Sequence, residues 1–373
     1  MSRRTDAMEP TPTAPLHVLL AGGGTGGHVF PALAVADELR ARGWRVSFTG
    51  AAGGLEERLV GERGLPFHPL PARPLVGRGP LGQARALATL ARSAAAARKL
   101  VRGLGADVVL GTGGYVSAPA VLGARLARRP VLLLEPNGRA GVANRWLSRW
   151  ATAAAVGYRE TIAELKCPCR VTGVPVRSSF FAVPAELPPL AAPRLLVLGG
   201  SQGAQQINRA MPEAAARLMA ELPALFILHQ AGARNLEETR AAYARAGLGA
   251  SRVEVAPFLD DVAGAMAASH LLVSRAGAIT VAEICAAGRP SLLVPLAIAQ
   301  GHQVDNARLL AAAGGAEIIR SDDLGADRLA AALAALLADG GRLAAMGRAA
   351  RALARPRAAC DIADLLGELG GIG

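Results

Sequence analysis

At 373 residues and 51% hydrophobic positions, the chain is long enough to fill two separate cores. A formal charge of +12 calls for anionic partners, yet an aromatic content of only 3% leaves a nucleic-acid reading without stacking platforms. Four cysteines (Cys167, Cys169, Cys285 and Cys360) supply neither a disulfide framework nor a paired zinc motif, and no apolar run reaches the ~18 residues of a membrane span.

Residues 1–15 read as a polar, disordered extension without the apolar core of a signal peptide, which places the protein in the cytoplasm with at most peripheral membrane contact. The run Leu16–Ala21 then enters Gly22-Gly23-Gly24-Thr25-Gly26-Gly27-His28, and a helical pattern leaves it over Val29–Arg42. Strand, glycine turn and helix make an anion cradle, because free amides and the helix dipole face whatever binds. His28 sits in the first helical turn, where the dipole disfavours its charged form. Gly22, Gly24 and Gly27 match G-x-G-x-x-G, but the second strand, Arg45–Thr49, ends without the acid a dinucleotide site requires. No Lys-Ser or Lys-Thr follows the glycines, so this is not a Walker loop.

Strand-like runs recur at 67–70, 107–110, 131–134 and 152–156, with helical stretches at 54–63, 81–103, 117–128 and 139–150 between them. The alternation predicts a parallel sheet covered on both faces, forming an N-terminal Rossmann-like domain over 16–173. The segment from Leu65 to Ala106 holds seven basic residues and no acid. Arg85, Arg92 and Lys99, spaced by seven, share a helix face opposite Leu87, Leu90, Ala94, Ala97 and Val101. Such a helix suits an anionic membrane surface, or a solvated face over a sheet. Leu75, Val76 and Arg78 precede it and add apolar and basic contacts. Trp146 and Trp150, four apart, read as core packing.

Prolines crowd 174–193, the expected linker. A second series follows over 194–357. Arg194–Leu198 leads into Gly199-Gly200-Ser201-Gln202-Gly203-Ala204 and a helix to about 221, with strand-like runs at 225–229, 252–256, 270–274, 291–295 and 316–319. Ser201 reads as a phosphate contact or an N-cap. The stretch Ser274–Glu283 repeats the strand-to-helix pattern, and Glu283 could accept from the vicinal hydroxyls of a ribose or be an ordinary surface acid. Gln303, within Gln300–Asn306, has the donor and acceptor set suited to sugar hydroxyls. Gly113-Gly114-Tyr115 and Glu135-Pro136-Asn137-Gly138 follow strands and belong at the cleft edge. There is no Asp-x-Asp to clamp a diphosphate through a metal. A last helical stretch, 358–369, could return to the first half.

Residues 23–32, 113–117, 199–204 and 275–283, in this order and spacing, resemble the MurG family, the bacterial peptidoglycan N-acetylglucosaminyltransferases that form lipid II. The resemblance implies an α/β GT-B fold, two tandem Rossmann-like domains with parallel sheets facing a central cleft. It implies inverting transfer of GlcNAc from UDP-GlcNAc to the 4-hydroxyl of the MurNAc in undecaprenyl-diphospho-MurNAc-pentapeptide, with no cofactor and no metal. It places Thr25, Gly26 and Gly27 in the donor cleft and Asn137 and Arg177 on the donor. Ser201 lies by the diphosphate, and Leu259 meets uracil through its backbone. Ala278, Ile279, Thr280, Val281, Ala282 and Glu283 cradle diphosphate and ribose, and Gln303 holds the sugar. His28 is the candidate base and Glu135 a second. The implied partners are both substrates, an anionic membrane surface at the cytoplasmic face of the inner membrane, and cell-wall or division proteins, with no nucleic acid. A transferase for another lipid, or a UDP-GlcNAc epimerase of the same fold, would share the donor site and differ in the acceptor. The chain departs from the family at Leu134-Glu135-Pro136-Asn137, commonly His-Glu-Gln-Asn, and at Val174, commonly Asn.

Overall fold

A computed structural model describes residues 15–72, 80–200, 203–296 and 301–372. Leu75, Val76, Arg78 and Ser201 lie outside the described residues. The first half runs β1 (His17–Ala21), α1 (Gly26–Ala41), β2 (Arg45–Gly50), α2 (Leu55–Gly61), β3 (Phe67–Pro69), α3 (Pro80–Leu104), β4 (Val108–Gly111), α4 (Gly114–Leu126), β5 (Val131–Glu135), α5 (Val142–Leu147), β6 (Ala153–Val156) and β7 (Cys169–Val171). The chain crosses through α6 (Ser178–Phe181). The second half runs β8 (Arg194–Leu198), α7 (Gln205–Glu221), β9 (Phe226–Gln230), α8 (Leu236–Arg245), β10 (Val253–Ala256), α9 (Val262–Ala267), β11 (Leu271–Ser274), α10 (Ala278–Ala287), β12 (Ser291–Leu293), α11 (His302–Ala312), β13 (Ala316–Ile318), α12 (Ala326–Leu337) and α13 (Gly340–Ala352). The last helix is α14 (Ala358–Gly370).

The strands form two parallel sheets, ordered β3-β2-β1-β4-β5-β6-β7 and β10-β9-β8-β11-β12-β13. In each, the chain order reverses beside the strand that feeds a glycine turn, which opens a crevice at the carboxyl edge. Both faces are covered, so the central strands are apolar throughout. Val18, Leu19, Leu20 and Ala21 of β1 have no exposed surface, and neither do Leu132, Leu133 and Leu134 of β5. In α14, Ile362, Ala363, Leu365 and Leu366 enter the core of the first sheet beside Val18, Leu20 and Leu33. Burying each large side chain contributes ~1.5–3 kcal/mol. Arg42 adds an ion pair to Asp364 at 2.7 Å, partly exposed and worth ~1 kcal/mol or less.

Helix α3 lies close on α4, where a Cβ on Gly123 would meet the Ala97 Cβ at 2.5 Å. Ala94, Ala97 and Val101 are buried in this contact. Arg85, Arg92, Arg98, Lys99 and Arg102 are exposed, and among the described residues none is ion-paired. Leu87, on the apolar side of the helix, is nonetheless 56% exposed, so the start of α3 reaches beyond its packing partners.

Several local expectations change. Helix α5 is one short helix rather than a run over 139–150, because the preceding loop is pinned by Glu135. Trp146 and Trp150 are therefore not core packing: Trp150 falls past the helix end, and the two rings meet at 4.5 Å with Trp146 exposed. The short edge strand β7 follows Pro168. All four cysteines are free thiols, and burial pushes the Cys167 thiol up to about 12.

Candidate active site

The two carboxyl edges bring together the loops after β1, β4 and β5 from one half and those after β8, β10, β11 and β12 from the other. In the first half, His28 is fixed by a reciprocal pair of bonds. Its Nδ1 lies 2.9 Å from the Thr112 carbonyl oxygen, and the Thr112 hydroxyl donates to the His28 carbonyl at 2.8 Å. A carbonyl only accepts, so Nδ1 carries the proton and Nε2 holds the lone pair. Burial, the largest influence, lowers the His28 pKa, while the Thr112 carbonyl, Glu135 and Glu56 oppose it. The imidazole is thus neutral near pH 7, with a defined tautomer. Gly114 is required beside it: its φ is +72°, and a Cβ there would lie 3.1 Å from the ring. Thr25 stands at the N-cap of α1 without a side-chain cap bond, and no acid occupies the first turn. The first-turn amides at Gly26 and Gly27 therefore remain for an anion.

Glu135 does not have the surroundings of a base. It is 1% exposed. Its Oε1 accepts from the Asn137 N–H at 3.1 Å and from Asn137 Nδ2 at 2.8 Å. Its Oε2 accepts from the Gly141 N–H and Asn144 Nδ2, both at 2.9 Å. Four donors engage both oxygens, so its work is to shape the loop 136–141.

That loop reaches the second half. The Gly138 N–H donates to Asn306 Oδ1 at 2.9 Å, and Asn306 Nδ2 donates to the Ala276 carbonyl at 3.1 Å and lies 3.4 Å from Asn137 Oδ1. Arg139 pairs with Asp305 at 3.0 Å. Asn137 is therefore linked to the loop after β11 through Asn306, a residue whose role sequence reasoning missed.

In the second half, α10 starts at Gly277 with no side-chain cap, leaving first-turn amides at Ala278, Ile279 and Thr280. The Val281 side chain lies in the core, and Ala282 and Val281 line a cavity of about 300 Å³ between the two interdomain crossings. What this stretch offers a ligand is amides and the Glu283 carboxyl. Burial pushes that carboxyl up to about 7, with Arg177 opposing. Arg177 itself lies over the Phe180 ring at 5.1 Å. Leu259 is half-buried against the core, just before Asp261 caps α9 through the Gly264 N–H at 2.8 Å. Gln303 Oε1 accepts from the Leu296 N–H at 3.0 Å, and its Nε2 is a donor without a partner among the described residues. Arg275 braces three loops: it donates to the Val294 carbonyl at 2.9 Å, Ser321 Oγ at 3.0 Å and Gln206 Oε1 at 2.8 Å.

A buried network backs the second glycine turn. His229 lies 2.9 Å from the Tyr243 hydroxyl and 3.0 Å from Asn208 Oδ1, and Asn208 donates to the Ala231 carbonyl. Gly203 packs on that same carbonyl: its φ is +78°, and a Cβ would sit 2.2 Å from the oxygen. Burial pushes the His229 pKa down to about 3.

Two family models match the chain: the glycosyltransferase family 28 N-terminal domain over residues 18–156 and its C-terminal domain over 194–362. A relative from Halorhodospira halophila, named UDP-N-acetylglucosamine--N-acetylmuramyl-(pentapeptide) pyrophosphoryl-undecaprenol N-acetylglucosamine transferase, is 44% identical over 357 residues, covering 94% of this chain and 98% of the relative. One of the same name from Stutzerimonas stutzeri is 43% identical, covering 95% and 98%. Among solved structures, MurG of Acinetobacter baumannii superposes with a TM-score of 0.75 at 34% identity, covering 95% of this chain and 100% of that one. A putative UDP-N-acetylglucosamine 2-epimerase from Listeria monocytogenes gives 0.70 at 15% identity over 95% and 96%, a likeness of fold.

Proposed function

The chain belongs to glycosyltransferase family 28 and, within it, to the MurG family, so that it transfers N-acetylglucosamine from UDP-GlcNAc to N-acetylmuramyl-(pentapeptide) pyrophosphoryl-undecaprenol, and we propose that His28 is the base that starts the transfer. The observation that carries this is the Thr112 carbonyl, which holds the Nδ1 proton and leaves Nε2 bare at the rim of the first glycine turn. Nε2 takes the proton of the acceptor 4-hydroxyl as its oxygen attacks the anomeric carbon. The C–O bond to UDP breaks from the opposite side, and the configuration inverts. Charge grows on the departing diphosphate, where the first-turn amides of α10 and the Arg177 guanidinium offset it. Glu283 holds the ribose, Gln303 the sugar, and the backbone at Leu259 the uracil. Thr25, Gly26 and Gly27 close the cleft from the first half.

The acceptor is lipid-linked, and the cations Arg85, Arg92 and Lys99 of α3, unpaired among the described residues, suit the anionic cytoplasmic face of the inner membrane, each contributing ~1 kcal/mol near such a surface. Exposed Leu87 and Trp146 add apolar contact in the same half. A peripheral attachment of this kind would also put the enzyme beside other cell-wall and division proteins.

Replacing His28 with Ala tests the base. Turnover is expected to fall ~10²–10⁴-fold with the UDP-GlcNAc Kd unchanged. Near-full turnover with normal donor binding would remove His28 from the role.

A further inference from the structure

We propose that Glu56 is an internal ligand of the first glycine turn and a positioning residue for the transfer, holding Gly22–Gly24 so that the Thr25–Gly27 amides and His28 stand in register with the substrates. This rests on the reading of His28 as the base. Glu56 lies in the first turn of α2, where a charged side chain ordinarily points to water, yet it has no exposed surface. Among the described residues no Lys or Arg pairs with it. Its partners are two backbone amides from different loops: Oε2 accepts from the Gly24 N–H at 3.1 Å and Oε1 from the Ala51 N–H at 3.0 Å. Three glycines make the space. A Cβ on Gly23, Gly50 or Gly54 would lie 2.2, 2.6 or 2.7 Å from atoms of the Glu56 side chain.

A carboxylate without a cation is costly to bury, and it persists only where fixed dipoles replace its water. Here it fills a place that a glycine turn otherwise offers to a phosphate. The Gly24 amide is already engaged, so a substrate anion is directed away from it, to the amides of Thr25, Gly26 and Gly27. The second glycine turn has no counterpart among the described residues: Gly203 packs on a backbone carbonyl and not on an acid. Among the described residues, therefore, the first turn alone carries a buried acid.

The same carboxylate bears on the imidazole. The charged groups facing His28 are Glu56 from α2 and Glu135 from the end of β5, and both favour its protonated form, as does the Thr112 carbonyl. When Nε2 takes the acceptor proton, these carboxylates stabilise the imidazolium that forms.

Two variants test this from opposite directions. Glu56→Gln keeps the shape but removes the charge, and its amide nitrogen faces one of the two backbone N–H donors. Gly54→Ala leaves the charge but pushes it from its seat, and Gly54 itself (φ −80°, ψ 170°) accepts alanine without backbone strain. Both are expected to lose at least tenfold in kcat while the UDP-GlcNAc Kd stays within twofold. In Glu56→Gln the acid limb of the kcat/KM profile also moves to lower pH, because a charge that favours the imidazolium is gone; a merely structural role would not move it. Should Glu56→Gln fail to fold, Gly54→Ala carries the test. Folded variants with kcat within twofold of wild type and an unmoved acid limb overturn the inference. His28→Ala in the same assay separates the two readings. Dead His28→Ala beside wild-type turnover in both loop variants overturns the Glu56 role alone, and retained turnover in His28→Ala overturns the base.

Discussion

Glu135→Gln distinguishes a positioning carboxylate from a base. Glutamine keeps one acceptor oxygen, which can still serve two donors. The other side becomes an NH₂ group facing two more, either the pair on Asn137 or the pair from Gly141 and Asn144. Hydrogen bonds to a charged group contribute ~1.5–3 kcal/mol each. Losing two, with some relief by rotation, costs about 2–4 kcal/mol of the first half's stability. For a domain of this size that lowers Tm by roughly 5–15 °C. The loop also carries Gly138 to Asn306, so KM for UDP-GlcNAc should rise. Calorimetry with steady-state kinetics reads both quantities. A Tm within about 1 °C of wild type, with kcat down a hundredfold and KM unchanged, would instead make Glu135 a base.

Other consequences follow from the charges. Glu283, raised to about 7 in the free protein, must ionise to accept from both ribose hydroxyls, so UDP-GlcNAc should bind about tenfold tighter at pH 8 than at pH 6. Glu283→Gln should bind more weakly and lose that dependence; titration calorimetry at the two pH values checks it. His229 is neutral when buried, with a pKa near 3 against 6.5 unfolded, so the unfolded chain takes up the proton first. Stability is full above pH 6.5 and is lost as pH falls from there toward 3, by about 2 kcal/mol at pH 5. Between pH 7.5 and 5, urea unfolding of the wild type should lose about 2 kcal/mol more than that of His229→Gln, a difference in which His28 and Glu283, titrating in both proteins, cancel. Reversing Arg85, Arg92 and Lys99 to Glu should weaken binding to anionic vesicles at least a hundredfold at low salt, at ~1 kcal/mol per cation, and leave transfer to a water-soluble acceptor analogue unchanged.

The alternation of apolar runs and glycine turns made both sheets legible, because a parallel sheet covered on two faces leaves a strong local signature. Candidates for the site could be named where one residue's chemistry suffices: His28 after a glycine turn, or Glu283 in a small apolar helix. The site was not legible where partners are remote or the reading assumed regular structure. Asn306 bridges to Gly138 and Ala276 across the chain, and Glu56 reaches back to Gly24; no spacing rule announces either. Glu135, an acid at a strand end, looked like a base, but four donors within nine residues claim it. Trp146 and Trp150 do meet, but α5 ends at Leu147 and the exposed Trp146 ring keeps the pair out of the core.

The most direct test is transfer of radiolabelled GlcNAc from UDP-GlcNAc to a short-chain analogue of the lipid-linked MurNAc-pentapeptide, with EDTA present. Labelled disaccharide product, with one UDP released for each GlcNAc transferred, is the expected result. Donor that binds normally but yields no labelled product with this acceptor would contradict it.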